Sequence, residues 1–190
     1  VGDSGVGKTT LLKLLTGMEH PSEGTILVQN KNLRHFTNKE LQEHRRSLGC
    51  IFQDCKLLPN KTVFENVAFP LEACGLSLPK IMQLVPEALE AVGITHLQDS
   101  MPHEISGGES QRVGLARAIV HKPRLIIADE PTGNLDAHAA QEVLKNLIKI
   151  NMQGITVILM THNKPLVQLA GQRVIALARS MASELLHNSA

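Results

Sequence analysis

The fold is decided by one stretch near the start of the chain, Gly2-Asp3-Ser4-Gly5-Val6-Gly7-Lys8-Thr9, which fits the pattern G-x-x-x-x-G-K-[ST]. Glycines in such a loop, here called the phosphate loop, let successive backbone N–H groups curl around an anionic phosphate. An apolar stripe over 8–15 predicts a helix whose positive dipole end would face the same anion. Lys8 would neutralise the β- and γ-phosphates of a nucleotide, and the Thr9 hydroxyl would hold Mg²⁺. The alternative interpretation is a Gly-rich turn that leads into a helix and binds nothing.

A second stretch, Leu125-Ile126-Ile127-Ala128-Asp129-Glu130, places two carboxylates directly after four apolar residues. The apolar run predicts a strand that is buried on both faces, as in a parallel sheet. Ligands of an α/β sheet bind beyond the carboxyl ends of its strands. Asp129 could therefore hold Mg²⁺, and Glu130 could polarise a water for attack on the γ-phosphate. Taken alone, the two carboxylates would indicate only a strand-end turn; beside the phosphate loop, they indicate a catalytic edge.

The order of the elements predicts a parallel α/β sheet with a helical segment inserted in it. Strands are predicted over 25–28, 48–52, 124–128, 155–160 and 173–178, and helices over 38–46, 110–120, 137–150 and 164–170. The strands over 124–128 and 155–160 are expected to be buried. Residues 54–120 are helical in pattern throughout and look like a separate lobe. Within it, residues 62 to about 93 are interrupted by Pro70, Pro79 and Pro86, which predict several short helices there, because proline interrupts a helix.

Composition excludes several classes of protein. The 190 residues suggest one domain, or one domain with a sub-lobe. Lys and Arg number 19 against 18 Asp and Glu, so charge gives no reason to propose a nucleic-acid surface. No apolar run approaches the roughly 18 to 20 residues that span a bilayer. The three cysteines are odd in number and lack metal-ligand spacing, which indicates reduced thiols and excludes a disulfide scaffold.

A third stretch, Ile105-Ser106-Gly107-Gly108-Glu109-Ser110-Gln111-Arg112, again places small residues where a helix begins. Two helix N-termini suited to phosphate in one chain are informative, since one nucleotide needs only one loop to hold its phosphates. The second could serve another nucleotide, or the far side of the same nucleotide bound in a partner subunit. A helix N-cap at Ser106 without any ligand is the remaining interpretation.

Together these stretches resemble the ABC-type ATPases, and residues 105–112 resemble the signature motif of that family, here called the signature turn. Gln53, after the apolar residues 51–52, matches the family's Q-loop glutamine. Gly133-Asn134-Leu135-Asp136 resembles its D-loop, and His162 matches its switch histidine. All six elements occur in the family's order and cover the chain from residue 1 to about 178.

The resemblance implies ATP hydrolysis at two sites between the head-to-tail subunits of a homodimer, with ATP and Mg²⁺ bound. It assigns catalysis to Lys8, Glu130 and His162, and contact with Mg²⁺ to Thr9, Gln53 and Asp129. Asp136 would link the two sites, and Ser106 and Gly108 would act on the nucleotide of the other subunit. The full set of implied nucleotide contacts is Gly2, Asp3, Ser4, Gly5, Val6, Gly7, Lys8, Thr9, Thr10, Gln53, Ser106, Gly107, Gly108, Asp136 and His162.

The fold implied by the resemblance is an α/β P-loop NTPase of the ABC ATPase type, with a parallel-sheet core and an α-helical subdomain. Residues 1–190 would form a single domain, with a nucleotide-binding core over 1–53 and 121–190 and a helical subdomain over 54–120 that carries the signature turn. The chain opens directly on the phosphate loop, so we expect the N-terminal strands to be missing. The family's adenine-stacking aromatic usually precedes that loop, and the chain contains no Trp or Tyr.

Within the family, residues 111–120 and 128–136 resemble a branch whose ATPases serve cell division, lipoprotein release or macrolide efflux. Residues 11–17 and 52–58 look most like the cell-division members. This implies a peripheral ATPase at the cytoplasmic face of the bacterial inner membrane, bound to an integral membrane partner resembling FtsX and controlling peptidoglycan hydrolases, with no nucleic acid bound. The other two transport roles, and an ATP-driven signalling module with little turnover, remain alternatives. Soluble family members that act in DNA repair or translation usually carry two cassettes or a large insertion in the helical lobe. This chain has one cassette, a short helical lobe and no excess of basic residues, which disfavours that class.

Overall fold

A computed structural model describes residues 1–3, 5–178 and 181–185, with side chains through residue 177. Its helices are α1 (Lys8–Leu15), α2 (Asn38–Arg46), α3 (Val63–Ala73), α4 (Leu78–Ala91), α5 (Gly107–Ile119), α6 (Ala137–Met152) and α7 (Lys164–Ala170). Its strands are β1 (Leu27–Val28), β2 (Lys31–Asn32), β3 (Leu48–Ile51), β4 (Leu125–Asp129), β5 (Thr156–Met160), β6 (Val174–Ala178) and β7 (Met181–Leu185). Short 3₁₀ turns occupy Leu33–His35, Thr95–Leu97 and Pro102–Glu104.

The central sheet is parallel, with strand order β3-β4-β5, as the element order predicts. The first residues of the chain continue this sheet towards β6. The Gly2 amide donates to Thr161 O, just after β5, at 3.4 Å, and the Leu177 amide in β6 donates to Val1 O at 2.7 Å. In a parallel sheet the carboxyl ends of all strands reach the same edge. The residues at the ends of β4 and β5 therefore lie beside the phosphate loop there.

Helices cover both faces of the sheet. On one face, α1 packs through a small cluster made of Leu12, Leu48, Ile127 and Met160. On the other face, a larger cluster joins α3, α4 and α5 to β4 and α6, and its fully buried members include Val67, Leu89, Leu115 and Ile126. Burying each such side chain stabilises the fold by about 1.5–3 kcal/mol. Segment 54–120, which contains helices and turns only, therefore shares its apolar core with the sheet.

The helix breaks expected at Pro70 and Pro86 are wrong, and residues 62–93 form the two helices α3 and α4 instead of several short ones. Helix α3 continues through Pro70 and α4 continues through Pro86. An interior proline costs roughly 3 kcal/mol, but apolar residues on both sides of each proline are buried, such as Val67 and Leu71 around Pro70. Their packing outweighs the lost hydrogen bond. Pro79 lies in the first turn of α4, where its missing N–H removes no helical bond.

Three further features differ from the sequence predictions. Helix α5 begins at Gly107 instead of residue 110, because Ser106 and Glu109 form a capping box. In strand β5, Thr156 is exposed, the next three residues are half-buried and Met160 is buried, whereas the whole strand was expected to be buried. Strand β1 has two residues and pairs with β2 in a separate hairpin. In the part of the chain that the structure describes, no helix has the length and apolar character needed to cross a membrane.

Candidate active site

The phosphate loop takes its shape from its own backbone. Gly5 and Gly7 have φ angles of 81° and 104°, which L-residues with a side chain rarely adopt. A Cβ at Gly2 would lie only 2.7 Å from the carbonyl oxygen of Leu177. The loop is thus fixed by contacts with the sheet before any ligand binds. Ser4, an expected nucleotide contact, lies outside the described residues.

The other expected contacts of the loop lie at its surface or beside it. Val6 is half-buried, and Asp3, Thr9 and Thr10 are exposed, the two threonines in the first turn of α1. Lys8 is different, because only 7% of its surface is exposed. An amphipathic side chain so deeply buried requires partners for its ammonium group.

The Lys8 ammonium has those partners in the loop and directly after β4. Its Nζ donates to Gly2 O at 2.6 Å and to Asp3 O at 3.0 Å. It also lies 2.9 Å from Glu130 Oε1, and both side chains of this ion pair are about nine-tenths buried. The structure thus joins two of the three residues expected to be catalytic.

Glu130 is held by its backbone as well as by its side chain. Its φ is 48°, in the left-handed region that costs a residue with a side chain about 1–3 kcal/mol. Its amide donates to Met160 O at 2.8 Å, which anchors the strained turn to the end of β5. This strain turns the carboxylate that follows β4 towards the phosphate loop.

His162 completes the group around that carboxylate. Its Nδ1 lies 2.8 Å from Glu130 Oε1, and its backbone N–H reaches Oε2 at 3.4 Å. Burial alone would raise the pKa of Glu130, but hydrogen bonds from His162 and Lys8, with their charges, outweigh burial and place the pKa below its usual range. The ring of His162 is 59% exposed, and within the described residues its Nε2 has no hydrogen bond. That nitrogen can therefore meet a ligand while Nδ1 stays on Glu130.

Asp129, one residue earlier, pairs with the first turn of α1. Thr9 Oγ1 donates to Asp129 Oδ2 at 2.8 Å. The other oxygen, Oδ1, is buried and has no hydrogen-bond partner among the described residues. A hydroxyl and a carboxylate with a spare oxygen are the hard donors that Mg²⁺ prefers. Lys8, Thr9, Asp129, Glu130 and His162 are called the strand-end cluster below.

Gln53, which we expected to contact Mg²⁺, lies elsewhere in this structure. It follows β3 in an exposed turn, and its side chain packs against Gly133, where a Cβ would approach Nε2 to 2.9 Å. It makes no hydrogen bond with Thr9 or Asp129 in the part of the chain that the structure describes. Contact between Gln53 and a metal stays a prediction.

The signature turn meets the D-loop rather than the strand-end cluster. Ser106 caps α5 and accepts from the Glu109 amide at 3.3 Å, while Glu109 Oε2 accepts from the Ser106 hydroxyl at 2.7 Å. Asp136 caps α6 by accepting from the Ala139 amide at 2.9 Å, which lowers the pKa of Asp136. The two caps border one open pocket of about 270 Å³, also lined by Gly107, Gly108, Arg112 and Glu142. No hydrogen bond or ion pair joins Ser106 or Asp136 to the cluster among the described residues.

Two residues near Gln53, to which the sequence assigned no role, hold its backbone and the turn that follows it. Gln111 donates from Nε2 to Gln53 O at 2.9 Å, and Arg117 donates to the carbonyls of Cys55 and Lys56. Both lie on α5, Gln111 within the signature turn and Arg117 beyond its end. A detectable signal was present for Gln111, because it precedes the buried Leu115 and Ala118 by four and seven residues, a polar residue on an apolar stripe.

Comparison with known proteins agrees with this geometry. A family model described as ABC transporter matches residues 1–133. The chain is 48% identical over 177 residues to the cell division ATP-binding protein FtsE of Bacillus subtilis, which covers 93% of this chain and 78% of that protein. It is 43% identical to FtsE of Escherichia coli K12, over 93% of this chain and 80% of that protein.

A solved structure agrees with the fold. The ATP-binding cassette MJ0796, in a dimeric post-hydrolysis state bound to ADP and Pi, matches with a TM-score of 0.84 and 31% identity. The match covers 97% of this chain and 83% of that one. The agreement extends over both the sheet and the helical segment.

Proposed function

This chain belongs to the ABC transporter family as one of its ATPase domains, and from that premise we propose that it is the ATPase subunit of a complex for bacterial cell division. Two relatives more than 40% identical carry the name cell division ATP-binding protein. This similarity favours division over the lipoprotein-release and macrolide-efflux alternatives. The observation that carries hydrolysis is the contact of Glu130 with both Lys8 and His162.

The cluster supports a specific sequence of events. The γ-phosphate of ATP would compete with the Glu130 carboxylate for the Lys8 ammonium, because both are anions within its reach. Glu130 would then be free to accept a proton from a water that attacks the γ-phosphorus, with the ring of His162 still on its Oε1. The bond from the γ-phosphorus to its bridging oxygen would break, giving ADP and phosphate.

Thr9 and Asp129 are the proposed ligands of Mg²⁺. The buried, unpaired Oδ1 of Asp129 fits this role, and the Thr9 hydroxyl lies beside the same carboxylate. Within the described residues no group of three or more His, Cys, Asp or Glu is placed to hold a metal. Phosphate oxygens and water would therefore supply the remaining ligands. Bound Mg²⁺ neutralises phosphate charge, and we propose that Gln53 contacts it once nucleotide is present.

The second half of each site would come from another copy of this chain. Ser106, Gly107 and Gly108 form an exposed helix N-terminus at an open pocket, and their own subunit gives them no contact with the cluster among the described residues. A head-to-tail homodimer would bring them to the nucleotide on the partner's phosphate loop. The dimeric state of the MJ0796 cassette supports this arrangement. Asp136, at the same pocket, would then link the two sites.

We further propose a division of labour within the single domain of residues 1–190. The core, 1–53 and 121–190, would bind nucleotide, and the helical subdomain, 54–120, would present the signature turn. An integral membrane partner resembling FtsX would hold the ATPase at the cytoplasmic face of the inner membrane. Hydrolysis would there control peptidoglycan hydrolases. Co-purification with such a partner from detergent extracts tests this part.

The test of hydrolysis is Glu130→Gln, which keeps the shape of the side chain and removes its charge. Turnover should fall by about 10²- to 10⁴-fold, the usual contribution of a general base. ATP affinity should be kept or increased, because Lys8 no longer has a competing carboxylate. Glu23→Gln, at an exposed turn, is the matched control.

Turnover of Glu130→Gln at the parent rate would exclude Glu130 as the base. The signalling alternative makes a different prediction in the complex with the membrane partner. There, Lys8→Ala would abolish partner function while Glu130→Gln preserved it.

A further inference from the structure

We propose that Gln111 and Arg117 are positioning residues for hydrolysis, because they clamp the backbone of residues 53–56, here called the Q-loop segment, onto α5. The clamp would hold the Gln53 side chain against the turn that carries Glu130. This inference rests on the proposed function, since the clamp acts on turnover only if Glu130 and Gln53 serve ATP hydrolysis. The contact between α5 and the Q-loop segment can be measured by amide hydrogen exchange even in protein that does not hydrolyse ATP.

Gln111 provides the first contact of the clamp. Its side chain is 2% exposed, and its Nε2 donates to Gln53 O at 2.9 Å. A carbonyl oxygen can only accept, so the amide nitrogen must face it. The amide oxygen, Oε1, is consequently left buried without a partner among the described residues. A buried acceptor without a partner lowers the stability of the fold. Among the polar atoms of this side chain, the stabilising contact is therefore the hydrogen bond from Nε2 to Gln53 O.

Arg117 provides the second contact. Its Nη1 donates to Lys56 O at 2.9 Å, and its Nη2 donates to Cys55 O. The guanidinium has no carboxylate partner in the part of the chain that the structure describes, so its hydrogen bonds go to these two carbonyls. Cys55 and Lys56 both have positive φ, 54° and 44°. Two adjacent residues with side chains in this region are strained, and Arg117 secures the strained turn.

The Q-loop segment in turn touches the catalytic turn. The Gln53 side chain lies against Gly133, where any larger residue would collide with it. The Gly133 amide donates to Glu130 O at 3.1 Å, which closes the turn on which the general base stands. Contact therefore passes from α5 through Gln53 to the backbone of Glu130.

The same helix carries the signature turn at its N-terminus. Ser106 caps α5, and Gln111 and Arg117 lie five and eleven residues further along a single 13-residue helix. A short rigid helix thus fixes both the residue proposed to meet the partner's nucleotide and the segment that places Gln53. Loosening the clamp should leave the phosphate loop intact and lower the fraction of molecules in which Gln53 is in place. The loss should appear in kcat and not in KM.

The experiment compares Gln111→Met and Arg117→Met with the parent. Methionine keeps helix propensity and removes the donors; it matches the length of glutamine and replaces the aliphatic stem of arginine. Arg117→Lys keeps the charge and one donor. The matched controls are Gln83→Met and Arg34→Met. Gln83 lies on the exposed face of α4, and the exposed Arg34 guanidinium donates to Pro21 O in the parent protein. Amide hydrogen exchange of residues 53–56, kcat, KM for ATP and Tm are measured on the full chain.

We expect exchange of the Q-loop segment to rise about tenfold in both methionine variants, and kcat to fall about tenfold, with KM within twofold of the parent. Arg117→Lys should lie between Arg117→Met and the parent, and the controls should match the parent. A purely structural role would lower Tm and leave exchange at 53–56 and kcat of the folded protein unchanged. That result would overturn the clamp. A parent without turnover would instead refute the proposed function, while hydrogen exchange would still decide whether the clamp exists.

Discussion

The strand-end cluster and the signature turn are both built at helix N-termini, yet they satisfy their polar groups in opposite ways. Lys8 pairs with Glu130, and Thr9 with Asp129, across 120 or more residues of sequence, and Lys8, Asp129 and Glu130 are buried. At the start of the signature turn, Ser106 and Glu109, three residues apart, bond to each other and to no other side chain among the described residues. The cluster thus depends on the whole fold, whereas the capping box that opens the signature turn depends on one helix.

This difference indicates how each region meets ATP. The cluster is already paired, so a phosphate must replace Glu130 on Lys8 before the carboxylate can act as a base. At the signature turn, Ser106 would have to release only its local hydrogen bonds with Glu109, and the pocket beside it is open. A region of this kind is suited to a ligand that a second subunit delivers. Substitutions in the two regions measure how far the stability of each depends on distant contacts.

The largest effect on stability is expected from Lys8→Met. This variant leaves the Glu130 carboxylate, 11% exposed, without its cation, and it also removes two bonds to loop carbonyls. Breaking a buried ion pair from one side costs about 3–5 kcal/mol. His162 still donates to Glu130, so we expect the free energy of unfolding to fall by about 3 kcal/mol, the low end of that range. Urea unfolding of the nucleotide-free protein measures it.

A matched control for that prediction is Lys13→Met. Lys13 pairs with Glu19 at 2.8 Å, but both side chains are almost half exposed. Exposed pairs contribute roughly 0.2–1 kcal/mol. An equal loss in the two variants would mean that burial of the cluster contributes nothing to its pairing.

The next effect concerns Thr9, which provides the only hydrogen bond to the Asp129 carboxylate among the described residues. Thr9→Ala should destabilise the metal-free protein by about 1.5–3 kcal/mol, because a buried charge loses its donor. Thr9→Ser keeps the hydroxyl and should stay within about 0.5 kcal/mol of the parent. Denaturant unfolding compares the three proteins. Equal stability of Thr9→Ala and the parent would show that Asp129 is solvated without Thr9.

A smaller effect is expected from pH acting on Glu130. Its folded-state pKa lies below the usual carboxylate value because Lys8 and His162 outweigh the cost of burial. As pH falls, the unfolded chain therefore binds this proton first. The stabilising contribution is complete above the ordinary pKa of about 4.3 and is lost as pH falls through the folded value. In unfolding experiments from neutral pH downward, the stability difference between the parent and Glu130→Gln should shrink. A constant difference would contradict the shift.

The parts of the site that could be predicted from sequence are those that follow from strand ends. The phosphate loop, the carboxylates after β4 and His162 after β5 are local patterns. Parallel register then brings them to one edge of the sheet without further information. What the sequence could not predict is that Lys8 would pair with Glu130 in the protein alone. That pairing depends on a strained φ at Glu130, which no local pattern indicates.

The helical segment shows a second limit. Pro70 and Pro86 were expected to end helices, and the local rule is sound. It fails here because burial of residues such as Leu71 and Leu89, set by distant contacts, continues each helix past its proline. Gln111 was missed for the same reason: its partner, the carbonyl of Gln53, lies 58 residues away in sequence. Tertiary contacts decide both cases.

The smallest effect on stability is expected at the signature turn, where Ser106 has two roles that can be separated. Ser106→Ala should cost about 1 kcal/mol, the usual value of an N-cap. Ser106→Asn and Ser106→Asp keep a capping oxygen and should recover most of that loss, since these residues cap as well as serine. Thermal or urea unfolding compares the four proteins. A loss well above 1 kcal/mol in Ser106→Ala would mean that the turn has contacts beyond its own helix.

If Ser106 contacts the partner's nucleotide, ATP turnover should differ between Ser106→Asp and Ser106→Asn even though their stabilities are similar. Asp and Asn have nearly the same shape, but only Asp brings a negative charge towards the γ-phosphate. Ser106→Asp should therefore lose turnover by about tenfold or more relative to Ser106→Asn, although the two caps are equally stable. Equal turnover in the stable Asp and Asn variants would leave Ser106 as a helix cap alone, and the contrast between the two regions would then be one of stability and not of function.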